Sequence, residues 1–196
     1  MTGCMMKTGE AFAAFIDWDL TELLKGGRVS ADDVYLCVRE LEDLVTAQSK
    51  VSVPDRIDWI MDAHRIVWFR TGRPEHDLVA SIFTFFNRLL IATRNYRAEA
   101  REKGLPPVSF RAGIGAGKVA MHMMDKNVFF GDGLEDASAC SKVARQTSSL
   151  LIANAVVLQS VPLSIAGTLC HVNGGGNNTE KVSINEQQLA VIAAAS

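Results

Sequence analysis

Two aspartates carry the chemistry that this sequence points to. Asp17 closes an apolar run over residues 11–18 that reads as a short buried strand, and Asp62 lies between two β-like runs, 56–60 and 64–69, at the tip of a hairpin. Two carboxylates brought together repel each other unless cations lie between them. Mg2+ and Mn2+ prefer carboxylate oxygens, keep part of their water and bridge phosphates. Asp17 and Asp62, beside a backbone carbonyl, therefore read as a platform for cations under a triphosphate. The plainer alternative is a pair of ordinary strand-end aspartates in turns. The elements that position them decide between the two.

From Ser30, a good N-cap, Val34, Val38, Leu41 and Val45 recur at helical spacing with charged residues between them, which predicts an amphipathic helix. Pro74 opens a second, long helix in which Leu78, Ile82, Phe86, Leu89 and Thr93 share a face, ending near Gly104. Pro106 and Pro107 restart the chain into a strand over 108–114, which Gly113, Gly115 and Gly117 are expected to break before a short segment at 118–124. A strand at 128–130, a helix at 134–147 and an apolar run at 150–158 follow. The order β-α-β-β-α-β, then α-β, predicts an α/β (α+β) domain: a ferredoxin-like sandwich with additional αβ elements and two helices over one face. In that topology the first strand and the hairpin are neighbours at the sheet centre, so Asp17 and Asp62 approach each other.

The totals bound the rest. At 196 residues and 48% hydrophobic, the chain is read as one domain, with a core at about 11–158 and an irregular extension at 159–196 whose Gly174–Asn178 stretch forms a loop tip between two terminal strands. A formal net charge of -2, with no block of one sign, argues against a nucleic-acid partner. Cys4, Cys37, Cys140 and Cys170 have no C-x-x-C spacing and read as reduced core thiols. No export signal and no apolar run of membrane-spanning length is seen, which points to the cytosol and away from a membrane. The run from Gly113 to Lys118 is no phosphate loop, because Ala112 and Val119 occupy the places of the required Gly and Ser or Thr. His64, His76, His122 and His171 lack metal-ligand spacing.

Between about residues 11 and 157 the sequence resembles the class III adenylate and guanylate cyclase family. Phe15-Ile16-Asp17 is similar to the family's Phe-x-Asp strand end, and Met61-Asp62-Ala63 leading into Ile66-Val67-Trp68-Phe69 is similar to its second metal-binding hairpin. Arg111, Gly113, Ile114 and Gly117 match Arg-x-Gly-Ile-x-x-Gly, and Phe130-Gly131-Asp132-Gly133-Leu134 resembles its aromatic-Gly-Asp segment. The resemblance implies a nucleotide cyclase with two Mg2+ or Mn2+ ions held by Asp17, Ile16 and Asp62. It implies substrate contacts at Phe15, Ile16, Asp58, Val128, Gly131, Asp132 and Glu135, and a head-to-tail homodimer with shared sites.

Departures from the family fall at informative places. The helix after Gly131 should carry an asparagine and, one turn later, an arginine that steadies the phosphates, but those positions are Glu135 and Ala139. Lys142 or Arg145, further along that helix, are the candidates to take over, with Arg111 also able to act across a dimer. The family's purine-reading lysine and aspartate align with Asp58 and Val128, so the usual adenine recognition is not expected. Domains of this size resemble the pyrimidine cyclases of antiphage defence, which implies UTP or CTP as substrate. The rival reading is a cyclase-homology domain that lost its chemistry and serves as a nucleotide sensor or dimerisation module. A diguanylate-cyclase relative trails both, since no G-G-[DE]-E-F sequence occurs.

Overall fold

Alternate residues of the first strand are buried on opposite sides, as a strand in the middle of a covered sheet requires. The computed structural model of the chain describes residues 6–20, 29–60, 62–122, 129–161, 169–172 and 180–195. Strand β1 (Met6–Asp17) lies between β3 (Ala63–Phe69) and β4 (Arg111–His122), antiparallel to both. β2 (Arg56–Ile60) pairs with β3 on the outside, which gives the order β2-β3-β1-β4 of a ferredoxin-like sheet. β6 (Leu151–Asn154) adds to β4 in parallel, β8 (Lys181–Ile184) and β7 (Cys170–Val172) follow antiparallel, and the short β5 (Phe129–Phe130) pairs with β4 off this path.

Helices α1 (Ala31–Ser49) and α2 (Glu75–Glu102) carry the apolar stripes read from the sequence and cover one face. α1 is fixed at its start by a reciprocal cap: the Ser30 hydroxyl accepts from the Asp33 amide at 3.1 Å, and the Asp33 carboxylate accepts from the Ser30 amide at 3.2 Å. Phe12, Ala14, Ile16 and Trp18 of β1, with Ile66 and Trp68 of β3, meet Leu41, Val45, Ile82, Phe85 and Phe86 in the main core. Burial of side chains of this size contributes about 2 kcal/mol each, enough to order the sheet on this side alone.

The opposite face belongs to α3 (Asp132–Thr147). Here the sequence expectation needs correction: Gly113 and Gly115 neither break nor turn the strand, and β4 runs unbroken through them. They are flat ground for the helix. A Cβ at Gly113 would stand 2.2 Å from the Ala137 carbonyl oxygen, and one at Gly115 would stand 2.4 Å from the Ala137 amide nitrogen. Gly131, at φ 139, passes so close to β4 that a Cβ would lie 2.2 Å from the Lys118 carbonyl oxygen. Helix and strand therefore touch backbone to backbone, and Ala11, Ala13, Val119, Leu134 and Ala137 fill the thin layer between them.

Two further expectations are corrected. The stretch beyond 158 is not irregular where it is described: β8 is an interior strand, and α4 (Glu186–Ala194), capped by Asn185, sends Leu189 and Ile192 into the main core. β7 and β8 are the two terminal strands expected on either side of 174–178, whereas a nine-residue helix is too short for periodicity to reveal. Cys37 and Cys140 are buried free thiols, as read, but Cys170 on β7 is exposed, while Cys4 and the Gly174–Asn178 loop tip lie outside the described residues. Among the described residues no helix is long and apolar enough to cross a membrane.

Candidate active site

The ladder between β1 and β3 sets the two aspartates side by side. Asp17 pairs with Ala63, and the Trp18 amide donates to the Asp62 carbonyl at 3.2 Å, so both residues sit at the same end of adjacent strands. Below them, on the α1–α2 side, the buried Trp18 indole donates to His64 Nδ1 at 2.8 Å, and Trp59 presents its edge to the same imidazole. Burial pushes the His64 pKa down to about 3 and keeps the ring neutral, as an acceptor for Trp18 must be. This pair ties the ends of β1 and β3 together beneath the carboxylates.

A third carboxylate joins them. Asp19, at φ 54, turns back so that its amide donates to Asp17 Oδ1 at 3.2 Å. Burial, then the neighbouring charge of Asp17 and also that of Asp62, raise the Asp19 pKa against the opposing pull of Arg111 and Arg145. The Arg145 guanidinium, from the last turn of α3, answers this charge: it stands 2.5 Å from Asp17 Oδ2 and 3.3 Å from Asp19 Oδ1. Desolvation works against its charge, but Asp17, Asp19 and Asp62 outweigh that and raise its pKa. Arg111, paired with Asp17 across β1 and β4, donates to the Arg145 carbonyl at 3.2 Å and holds the helix end in place.

Phe15 lies two residues before Asp17, on the same face of β1, and opens a second feature. With Arg65, Phe129, Phe130, Gly131, Leu134, Glu135, Ser138 and Lys142 it lines a pocket of about 380 Å3. Lys142 and Arg145 stand three residues apart on α3, so the helix passes from this pocket to the carboxylates.

Of the residues read from the sequence, the structure thus brings Asp17, Asp62 and Arg145 into one cluster and Phe15, Gly131, Glu135 and Lys142 into the adjoining pocket. Ile16 is wholly buried among the core side chains and offers only its backbone. Asp58 is engaged by Arg56, whose Nε donates to both carboxylate oxygens at 3.0 and 3.1 Å. Asp132 lies elsewhere, in a groove with Thr8, Gly9 and Lys118, because the first turn of α3 points it past the strand edge. Val128 lies outside the described residues. Sequence reading passed over Asp19 as a functional residue, although the Asp17-x-Asp19 spacing was a signal, and Arg65, whose place beside Phe15 follows only from the β1–β3 register.

Among the described residues no three His, Cys, Asp or Glu side chains are grouped to hold a metal ion by themselves. The donor set nevertheless fits a hard divalent cation. Oxygen ligands converge from two strand ends, and a guanidinium already takes the part of the cation between Asp17 and Asp19.

No sequence-family model matches the chain, and no curated protein matches it in sequence. Solved structures do match. The chain superposes on a bacterial light-regulated adenylyl cyclase with a TM-score of 0.76 at 14% identity, covering 98% of this chain and 59% of that one. It matches the adenylyl cyclase CyaB from P. aeruginosa with a TM-score of 0.71 at 10% identity, over 92% and 96% of the two chains. It matches the guanylate cyclase domain of RhGC from Catenaria anguillulae, solved with GTP, with a TM-score of 0.66 at 17% identity, over 91% and 99%. The fold is that of class III nucleotide cyclase domains. The chain spans 59% of the length of the light-regulated cyclase, so what is shared with it is the cyclase domain fold alone. On α3, Glu135 is exposed and Ala139 half-buried, and neither side chain can donate to a phosphate.

Proposed function

We propose that this chain is a nucleotidyl cyclase, converting a nucleoside triphosphate to its 3′,5′-cyclic nucleotide and pyrophosphate. What supports the reading is the Arg145 guanidinium held between Asp17 and Asp19 at the end of β1, with Asp62 close enough on the adjoining strand end to add to the charge that raises its pKa. Asp17, Asp62 and the Ile16 carbonyl would hold two divalent ions. When bound, Mg2+ or Mn2+ at this position supplies Lewis acidity toward the ribose 3′-oxygen and neutralises charge on the departing pyrophosphate. Phosphates arriving with those ions compete for the Arg145 guanidinium, which moves from the carboxylates to the triphosphate oxygens. Lys142, exposed one turn earlier on α3, meets the same phosphates from the pocket side.

A head-to-tail homodimer, as the cyclase resemblance implies, would bring residues of a second copy to this site. With Asp58 engaged by Arg56, the family's adenine contacts have no counterpart here, which favours a pyrimidine triphosphate. The product would then be a cyclic pyrimidine mononucleotide, the kind of signal used in antiphage defence. Incubating the protein with each of the four ribonucleoside triphosphates and Mn2+ tests the reading. Cyclic product that vanishes in Asp62→Ala supports it, whereas nucleotide binding without pyrophosphate release selects a non-catalytic sensor instead.

A further inference from the structure

The pocket beside the carboxylates contains a donor with nothing to donate to. Arg65 stands in a cross-strand row with Phe15 on β1 and Asp58 on β2, on the α3 side of the sheet. Its guanidinium lies over the Phe129 ring, 4.8 Å from the centroid, so one wall of the pocket is a stacked aromatic and cation. Asp58, across the β2–β3 ladder from it, is turned toward Arg56, whose Nε donates to both of its oxygens. Arg65 Nε is buried without a hydrogen-bond partner, and so is Arg56 Nη2. An unpaired N–H on a buried cation is unfavourable, and because Arg65 lines the pocket its guanidinium is placed to take an acceptor from a ligand there. Phe130, 58% exposed at the rim, is a large apolar surface that also lacks a cover. Glu135 lines the same pocket from the first turn of α3 and brings an acceptor.

We propose that Arg65 is the base-reading residue of this site, and that with Phe15, Phe129, Phe130 and Glu135 it selects a nucleobase presenting a carbonyl oxygen beside a ring N–H. This rests on the nucleotide-cyclase reading above and narrows its substrate. The flat base stacks on Phe130 and Phe15, as bases do on aromatic platforms, while Phe129 supports the Arg65 guanidinium from behind. Its carbonyl accepts from Arg65, the pairing that makes arginine the usual reader of a guanine carbonyl, and its ring N–H donates to the Glu135 carboxylate. Uracil and guanine have this edge. Adenine and cytosine present an amino group there instead, which sets donor against donor at Arg65 and leaves Glu135 facing a ring nitrogen that has no hydrogen. Of UTP and GTP, UTP is the one that agrees with the pyrimidine preference proposed above.

Calorimetric titration of the whole chain with UTP, GTP, CTP and ATP, each with Mn2+, tests this. UTP is expected to bind about tenfold or more tightly than CTP and ATP, because a site built around hydrogen bonds rejects an analogue that cannot make them. Arg65→Gln, with its melting temperature checked, is expected to erase that preference while the affinity for ATP stays the same. Glu135→Ala, at an exposed helix position where folding is not at stake, is expected to reduce the preference in part. A wild-type preference for ATP or CTP, or equal weakening of all four nucleotides in Arg65→Gln, overturns the assignment. GTP binding ahead of UTP upholds Arg65 but removes the pyrimidine preference. A base preference that depends on Arg65, without any cyclic product, retires the cyclase reading and leaves the base-reading residue standing. Failure of all four to bind overturns both.

Discussion

The two faces of the sheet are built on opposite principles from the same strands. On the α1–α2 side, bulky side chains interlock: Phe12, Trp18, Trp68, Phe83, Phe85 and Phe86 are all fully buried, and the one imidazole among them is neutral and paired. On the α3 side the strand surface is pared down to glycine and alanine, the helix lies close, and beyond its edge come Arg56, Asp58, Arg65, Asp17 and Asp62. Alternate residues of one strand serve these two ends. Ile16 and Trp18 lock β1 down on one side, while Phe15 and Asp17, one position away, meet the pocket and Arg145 on the other. Stability and chemistry are thereby separable by substitution even where they are adjacent in sequence.

That division is open to attack from either face. The largest effect is expected at the carboxylates: Asp62→Ala should lower cyclic-nucleotide formation at least about a hundredfold, with an unfolding midpoint in urea close to that of the parent protein. Removing divalent ions with EDTA should abolish product equally. Next comes the thin layer under α3, where Gly115→Val places side-chain atoms on the backbone of Ala137 and should cost about 3 kcal/mol or more, measured by equilibrium unfolding. Loss of stability on that scale, caused from the α3 side, marks the limit of the separation between the faces. Cys140, buried on α3, gives an effect confined to alkaline pH and absent at neutrality. Burial, with Asp136 adding to it, raises its thiol to about 12 against 9.0 for a free one, so the folded state holds its proton longer than the unfolded state does. Its contribution is complete below pH 9 and is lost as pH rises toward 12, at up to about 1.4 kcal/mol per pH unit. Cys140→Ala should flatten that part of the alkaline limb, which pH-dependent unfolding reads directly. The smallest effect is expected at Arg145, an exposed pair: Arg145→Ala should tighten Mn2+ binding without nucleotide by no more than about fivefold, since exposed ion pairs are weak. No change in Mn2+ affinity would mean that the guanidinium does not occupy the cation position.

Much of this was legible in the sequence, and the reason differs from element to element. Helices α1 and α2 show their stripes and their starts, Ser30 and Pro74, because a cap and a period are local properties. The β2–β3 hairpin and the position of Asp62 could be read for the same reason. What escaped depends on distant pairing. β1 begins at Met6, five residues earlier than its apolar run, because a long β4 is available to pair with Lys7 to Glu10, whose mixed polarity gives no strand signal alone. Gly113 and Gly115 look like breakers until a helix is known to lie on them. Arg65 looks like any strand arginine until the register sets it opposite Phe15 on one side and an already engaged Asp58 on the other.

The pairing of β1 with β3 has a last consequence. A shift of a single residue along that ladder would exchange the two sides of the strand, sending the carboxyl of residue 17 among the tryptophans and leaving Ile16 in water. Such an error could not survive as a slightly impaired protein. The packing of Ile16 and Trp18 in the core and the alignment of the acidic cluster are therefore set by one and the same register.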